Sequence, residues 1–226
     1  MLGQIVYQAG ARPRLERAQA GGLRVLRAEL DPEGFWGERR LRRAARLLAR
    51  AGAVRVLVPR GFDRWEALER QGLRRVDPLP FLRAHAAVLA VAALRKAGQD
   101  PARCAVALRG ERAGRDLERA AHQLCALVRE VCVSAPRGGE ALSGTLRWEY
   151  GVAVRPDFAE VPAAVRFDPG TWAAGGAVLD LFPPSPCLGP VGVSLPGLEA
   201  GDGDPLCLLA ALWEAGKVDG GALEFT

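Results

Sequence analysis

Seven consecutive residues, Arg109-Gly110-Glu111-Arg112-Ala113-Gly114-Arg115, carry the chain's best case for binding chemistry. An apolar run from Cys104 to Leu108 leads into the first glycine and an amphipathic segment leaves the second, so the stretch reads as a strand-to-helix turn. Such a turn aims free backbone N–H groups outward from a helix N-terminus, the arrangement that holds phosphate in nucleotide-binding folds. The candidate cofactor-binding residues are therefore Arg109, Gly110, Arg112, Gly114 and Arg115, with Arg137 beyond the next strand. The turn is not a GxGxxG fingerprint, and the chain has no GxxxxGK[ST]. Glu111 opposes the reading. A carboxylate about 4 Å from a phosphate costs ~4 kcal/mol at an effective dielectric of about 20, and a helix N-terminus returns at most ~2 kcal/mol. Two readings stay open: a weak site for a monophosphate or NADP that depends on arginine contacts, and a plain structural turn.

Other reactive residue types form no recognisable constellation. His85 and His122 lie in helical stretches without a Cys, His or carboxylate at i+4, so packing or surface roles are expected and no metal site is assigned. Asp168 and Asp180, near strand ends, are the one candidate acid/base pair. There is no GxSxG elbow, and the catalytic residues stay unknown. The five cysteines (104, 125, 132, 187 and 207) include no CxxC pair and read as reduced thiols, mostly buried.

The elements that must position the turn follow from periodicity. Leu117, Ala120, Ala121, Leu124, Cys125 and Val128 recur at helical spacing, Val131-Cys132-Val133 is a second strand, residues 139–150 form a helix stopped by Gly151, and Val152-Ala153-Val154 is a third strand. This order, with short connections, predicts a right-handed βαβαβ unit. Before it, strands are expected at residues 4–8, 23–30 and 54–59, with a loop or frayed helix between the first two. Helices are expected at 38–51 and from Asp63, as N-cap, to Gly72. Residues 80–97 are apolar on nearly every side and read as one helix bridging two subdomains, 1–78 and 79–226. Beyond residue 155, two or three short strands, some antiparallel at a sheet edge, precede a last helix capped by Asp204-Pro205. The expected fold is α/β, with mostly parallel three-layer sheets and a Rossmann-like second half after a smaller N-terminal α/β part.

A long apolar helix leading into a βαβαβ unit resembles the NAD(P)-binding domain of shikimate dehydrogenase and, less closely, of glutamyl-tRNA reductase, over residues 79–155. In shikimate dehydrogenases the second strand ends in Asn-Arg-Thr or Asn-Arg-Ser, whose arginine reads the 2′-phosphate of NADP; here Ser134-Ala135-Pro136-Arg137 stands there and only Arg137 matches. The resemblance implies NADP as cofactor and Arg137 as its reader. It does not carry the chemistry: that family's catalytic lysine lies in the N-terminal domain, and the first lysine here is Lys96. The reductases use an N-terminal cysteine, and the first here is Cys104.

Charge is unevenly spread over the 226 residues. Residues 1–100 carry 20 basic and 10 acidic side chains, residues 156–226 carry 2 and 10, and the formal net charge is +5. The helix at 38–51 turns Arg39, Arg40, Arg42, Arg43, Arg46 and Arg50 away from its apolar side. That face reads as solvated, or docked on the acidic C-terminal part, because the helix lacks interleaved aromatics. The start, Met1-Leu2-Gly3-Gln4, has no basic n-region or apolar h-region, and the stretch from Leu79 to Ala97 is interrupted by charges, so a cytoplasmic protein without membrane partners is expected. The leading functional expectation is a degenerate Rossmann-like protein acting without catalysis, by binding a small anionic ligand or nucleotide or a protein partner. The alternatives are a cryptic NADP-linked oxidoreductase and a nucleic-acid-binding protein using its basic N-terminal part.

Overall fold

The computed structural model describes residues 1–155, 161–170, 172, 175–198, 201 and 203–226. They form two compact units, Met1–Pro78 with Ser194–Ala222, and Leu79–Val193 with Leu223–Thr226. Both are α/β with mostly parallel sheets.

The first unit opens with β1 (Leu2–Tyr7), β2 (Arg14–Ala20) and β3 (Leu23–Leu30). Then come α1 (Gly37–Arg50), β4 (Arg55–Leu57), α2 (Trp65–Glu69) and β5 (Arg74–Arg75). The sheet runs β2-β3-β1-β4-β5, parallel except for β2, which returns against β3. The loop or frayed helix expected before residue 23 is in fact this strand. Its turn is Gly21-Gly22, both at positive φ, as a two-residue hairpin requires. Its sequence, RLERAQA, conceals it because an edge strand keeps charged side chains in water. On α1, Leu41, Ala44, Ala45 and Leu48 recur at i, i+3, i+4 and i+7 and are all fully buried, against Ile5, Leu26, Ala28 and Leu30 of the sheet. At about 2 kcal/mol for each leucine, this stripe fixes the rotation of the helix. Helix α2 begins without the Asp63 cap expected from sequence: Arg64 stands at its N-cap and no side chain bonds there.

The second unit begins with α3 (Leu79–Ala84) and α4 (Ala86–Lys96). The single helix expected at 80–97 is thus broken at His85, whose Nδ1 lies 2.8 Å from the Phe81 carbonyl and competes with the helix for that acceptor. Next are β6 (Ala105–Arg109), α5 (Arg115–Leu124), β7 (Glu130–Ser134), α6 (Gly139–Tyr150) and β8 (Ala153–Arg155). Two further strands are β9 (Ala163–Arg166) and β10 (Ala177–Asp180). The sheet order is β10-β9-β6-β7-β8 and every pairing is parallel, so the antiparallel arrangement expected of some strands beyond residue 155 does not occur at this sheet's edge. Counted from β6 this is the order 5-4-1-2-3 of a Rossmann-like sheet, reversing between β6 and β9. Among the described residues, the connections from β8 to β9 and from β9 to β10 carry no helix. Instead α4 packs on β9 and β10 and beside α5, giving that half of the sheet the cover a crossover helix would supply.

The chain ends with β11 (Val193–Ser194), α7 (Pro205–Glu214) and β12 (Glu224–Phe225), β11 pairing with β12. The side chain of Asp204 caps α7, accepting from the backbone of Leu206 at 3.0 Å and Cys207 at 3.4 Å. Residues 194–222, read from sequence with the second part, are held in the first unit: Arg55 pairs with Glu214, and the Asp204 N–H reaches the Val58 carbonyl at 3.3 Å. No helix among the described residues is long and apolar enough to cross a membrane.

Candidate functional site

The crevice where a Rossmann-like sheet takes its ligand lies beyond the carboxyl ends of β6 and β9, where the strand order reverses. The turn 109–115 stands there as expected, but four of its backbone donors are held within the chain. Gly110 N–H donates to the Ser134 carbonyl at 3.0 Å, Ala113 N–H to Arg137 at 2.8 Å and Gly114 N–H to Arg112 at 2.9 Å. The remaining contact is the most telling. Glu111 N–H donates 2.9 Å to Oδ2 of Asp168, so a carboxylate of the chain itself occupies a place where a phosphate oxygen would sit. Gly110 eases that approach, since a Cβ there would lie 3.1 Å from the same oxygen and 3.3 Å from Leu117.

The candidate side chains fall into three groups. Arg109 is 1% exposed, so its guanidinium serves the interior rather than the crevice. Arg112 and Arg115 are exposed at the mouth. Arg137 follows β7 as expected of a 2′-phosphate reader, but its guanidinium lies 3.2 Å from Glu111 and its backbone carbonyl holds Ala113. Gly114 is the N-cap of α5 in ordinary extended geometry, with space around it, so nothing in the backbone demands glycine there.

The same end of the sheet is tied by further internal contacts. Arg83 donates to the carbonyls of Leu181 and Phe167, both at 2.8 Å, and approaches Asp116 at 3.9 Å. Asp180 accepts both donors of the Arg166 fork, one at 2.6 Å. The proposed acid/base pair is therefore split between two binding duties: Asp180 to Arg166 and Asp168 to Glu111. His85 packs between Phe81 and Phe225, and His122 lies 3.1 Å from the Tyr150 hydroxyl. Sequence reading missed the parts played by Arg83 and Asp168, because their partners lie far along the chain and no local spacing reports them.

The thiols differ in reactivity. Cys104, Cys125 and Cys132 are buried, and Cys187 is exposed. The Cys207 thiol is pushed up to about 12, first by burial and then by Asp204 beside it. It is not a nucleophile near neutral pH.

No protein-family model and no curated protein matches the chain. Among solved structures, L-tryptophan dehydrogenase from Nostoc punctiforme is similar over 64% of this chain and 44% of its own, at 13% identity and a TM-score of 0.33. Ornithine carbamoyltransferase from Pyrococcus furiosus is similar over 73% of this chain and 58% of its own, at 14% identity and a TM-score of 0.29. The chain thus spans less than half of the dehydrogenase and under two thirds of the carbamoyltransferase.

Proposed function

We propose that this chain is a Rossmann-like protein whose dinucleotide site has become structural, and that it acts by binding rather than by redox catalysis. One observation carries the reading: the Asp168 carboxylate on the Glu111 N–H. A phosphate seeking that donor would meet a negative charge within about 4 Å, a cost of ~4 kcal/mol at an effective dielectric of about 20, against at most ~2 kcal/mol from the helix end. The likeness to shikimate dehydrogenase is then one of layout, with neither its lysine nor its glycine-rich turn retained.

A second reading, an NADP-linked oxidoreductase, is favoured by the position and exposure of Arg137 beside the turn. Calorimetric titration with NAD, NADP and AMP separates the two. The first reading expects no measurable heat from the parent at millimolar ligand, and weak phosphate binding to appear in Asp168→Ala. NADP binding to the parent at micromolar concentration, lost in Arg137→Ala, would replace the first reading with the second.

A further inference from the structure

We propose that the first unit binds single-stranded nucleic acid along the outer face of α1, with Trp36 as a stacking platform at the head of that face. The inference goes beyond the reading of the second unit and stands without it.

The stripe comes first. Arg39, Arg43, Arg46 and Arg50 stand at i, i+4, i+7 and i+11, one line along the helix spanning about 16 Å at 1.5 Å per residue. Because the opposite face is fully buried, these side chains cannot turn inward. Glu38, the one carboxylate on α1, is taken by Arg42, and Arg40 is held by Asp31 at 3.1 Å. Among the described residues no carboxylate pairs with Arg43, Arg46 or Arg50. Like charges at these spacings destabilise a helix. An anion laid along them relieves that repulsion.

A plain solvated face would need nothing more, but the structure adds two features. Asp31 accepts from the backbone N–H of Gly10 and of Glu33, each at 3.0 Å, and Asp31 N–H returns to the Ala11 carbonyl at 3.2 Å. The loop between β1 and β2 is thereby held against the start of α1. Arg12 joins Pro13, Trp36, Arg39, Arg40 and Arg43 around a cavity of about 200 Å³. Four arginines from two separate segments meet in one small hollow.

The second feature is aromatic. Phe35 is 91% exposed and Trp36 51%, edge to face at 5.1 Å, with Arg39 over the Trp36 ring at 5.3 Å. The turn that presents them is tight: Gly34 has φ +74°, and a Cβ on Gly37 would come within 2.1 Å of the Pro32 carbonyl oxygen. The aromatics absent from the helix thus stand at its head, Trp36 being its N-cap.

Size and geometry choose the ligand. The hollow is smaller than the ~300 Å³ at which small-molecule pockets begin, whereas the stripe runs on past it, so an extended polyanion fits better than a free nucleotide. A stacking ring needs an unpaired base, which a single strand offers and an intact duplex does not. The larger cavity of this unit, about 810 Å³ and lined by Met1, Leu15, Arg17, Leu26 and Ala51 among others, gathers no comparable cluster.

The test is fluorescence anisotropy of the full chain with a labelled 15-nucleotide oligothymidylate, from about 50 to 200 mM salt. Four or five phosphate contacts predict a log–log salt slope of about −3, and Arg43→Ala with Arg46→Ala should reduce its magnitude by about 1.4. Trp36→Ala should weaken binding at least about fivefold without changing the slope. All three positions are exposed, and circular dichroism checks that the variants stay folded. No binding at about 50 mM salt overturns the proposal. So does an unaltered affinity in Trp36→Ala, or inorganic polyphosphate or a duplex of equal length binding as tightly as the single strand, since each marks simple ion exchange.

Discussion

The two units each present a segment leading into a helix beyond the carboxyl end of a parallel strand, and they treat it in opposite ways. In the second unit the turn 109–115 follows β6 and spends the backbone donors of Gly110 and Glu111 on Ser134 and Asp168, while Glu111 itself pairs with Arg137. In the first unit the segment 31–37 follows β3 and has no recognised motif, yet it leaves arginines without carboxylates and two aromatic rings in water. A fold places a crevice, but unspent donors and charges decide whether anything binds. Where the topology advertises a site, a carboxylate of the chain itself holds one of its backbone donors.

The largest effect that would sharpen the contrast concerns two glycines. Gly37→Ala forces a Cβ against backbone and should cost about 3 kcal/mol, read as a lowered thermal midpoint. Gly114→Ala, at the supposed phosphate turn, meets only Arg112 Nε at 3.9 Å and should change stability by less than about 0.5 kcal/mol. The reverse ranking would mean that the tightness of the two turns has been misjudged. Next in size, Asp168→Ala should cost about 1 kcal/mol by removing the acceptor of the Glu111 N–H, measured by denaturant unfolding. A more stable variant would show Asp168 to be a strained intruder rather than a fitted partner.

The smallest effect concerns pH. Hydrogen bonds from the Glu33 and Gly10 backbones, with Arg40 beside it, hold the Asp31 carboxyl below its ordinary value of 3.8. A depressed carboxylate contributes stability above its unfolded pKa and loses it as pH falls through the folded one. The loop carrying Arg12 should therefore stay clamped from neutral pH down to about 4 and loosen only below. The Gly10 amide resonance, followed by NMR over that range, checks this; a transition at pH 5 to 6 would assign the clamp to another group.

The central βαβαβ order was legible because each of its elements carries its own period and its own stop. Helix α6 ends at Gly151 and α7 begins at Asp204, as their sequences require. The edge strand β2 was hidden because its pattern is polar, and the break at His85 because it depends on one side chain competing for a carbonyl. The turn at 109–115 was found, but its occupation was not: Asp168 lies 57 residues from Glu111, and pairing at that distance leaves no local pattern. Phe35 and Trp36 were passed over for a similar reason. They adjoin the helix in sequence, but no local pattern reports that they face water.

Hydrogen exchange of the full chain, read by mass spectrometry with NADP and separately with the 15-nucleotide oligothymidylate, tests both halves of the comparison at once. The account predicts slowed exchange over residues 34–46 with the oligonucleotide and no change over residues 109–115 with millimolar NADP. Protection of residues 109–115 by NADP, with residues 34–46 indifferent to the oligonucleotide, would contradict it.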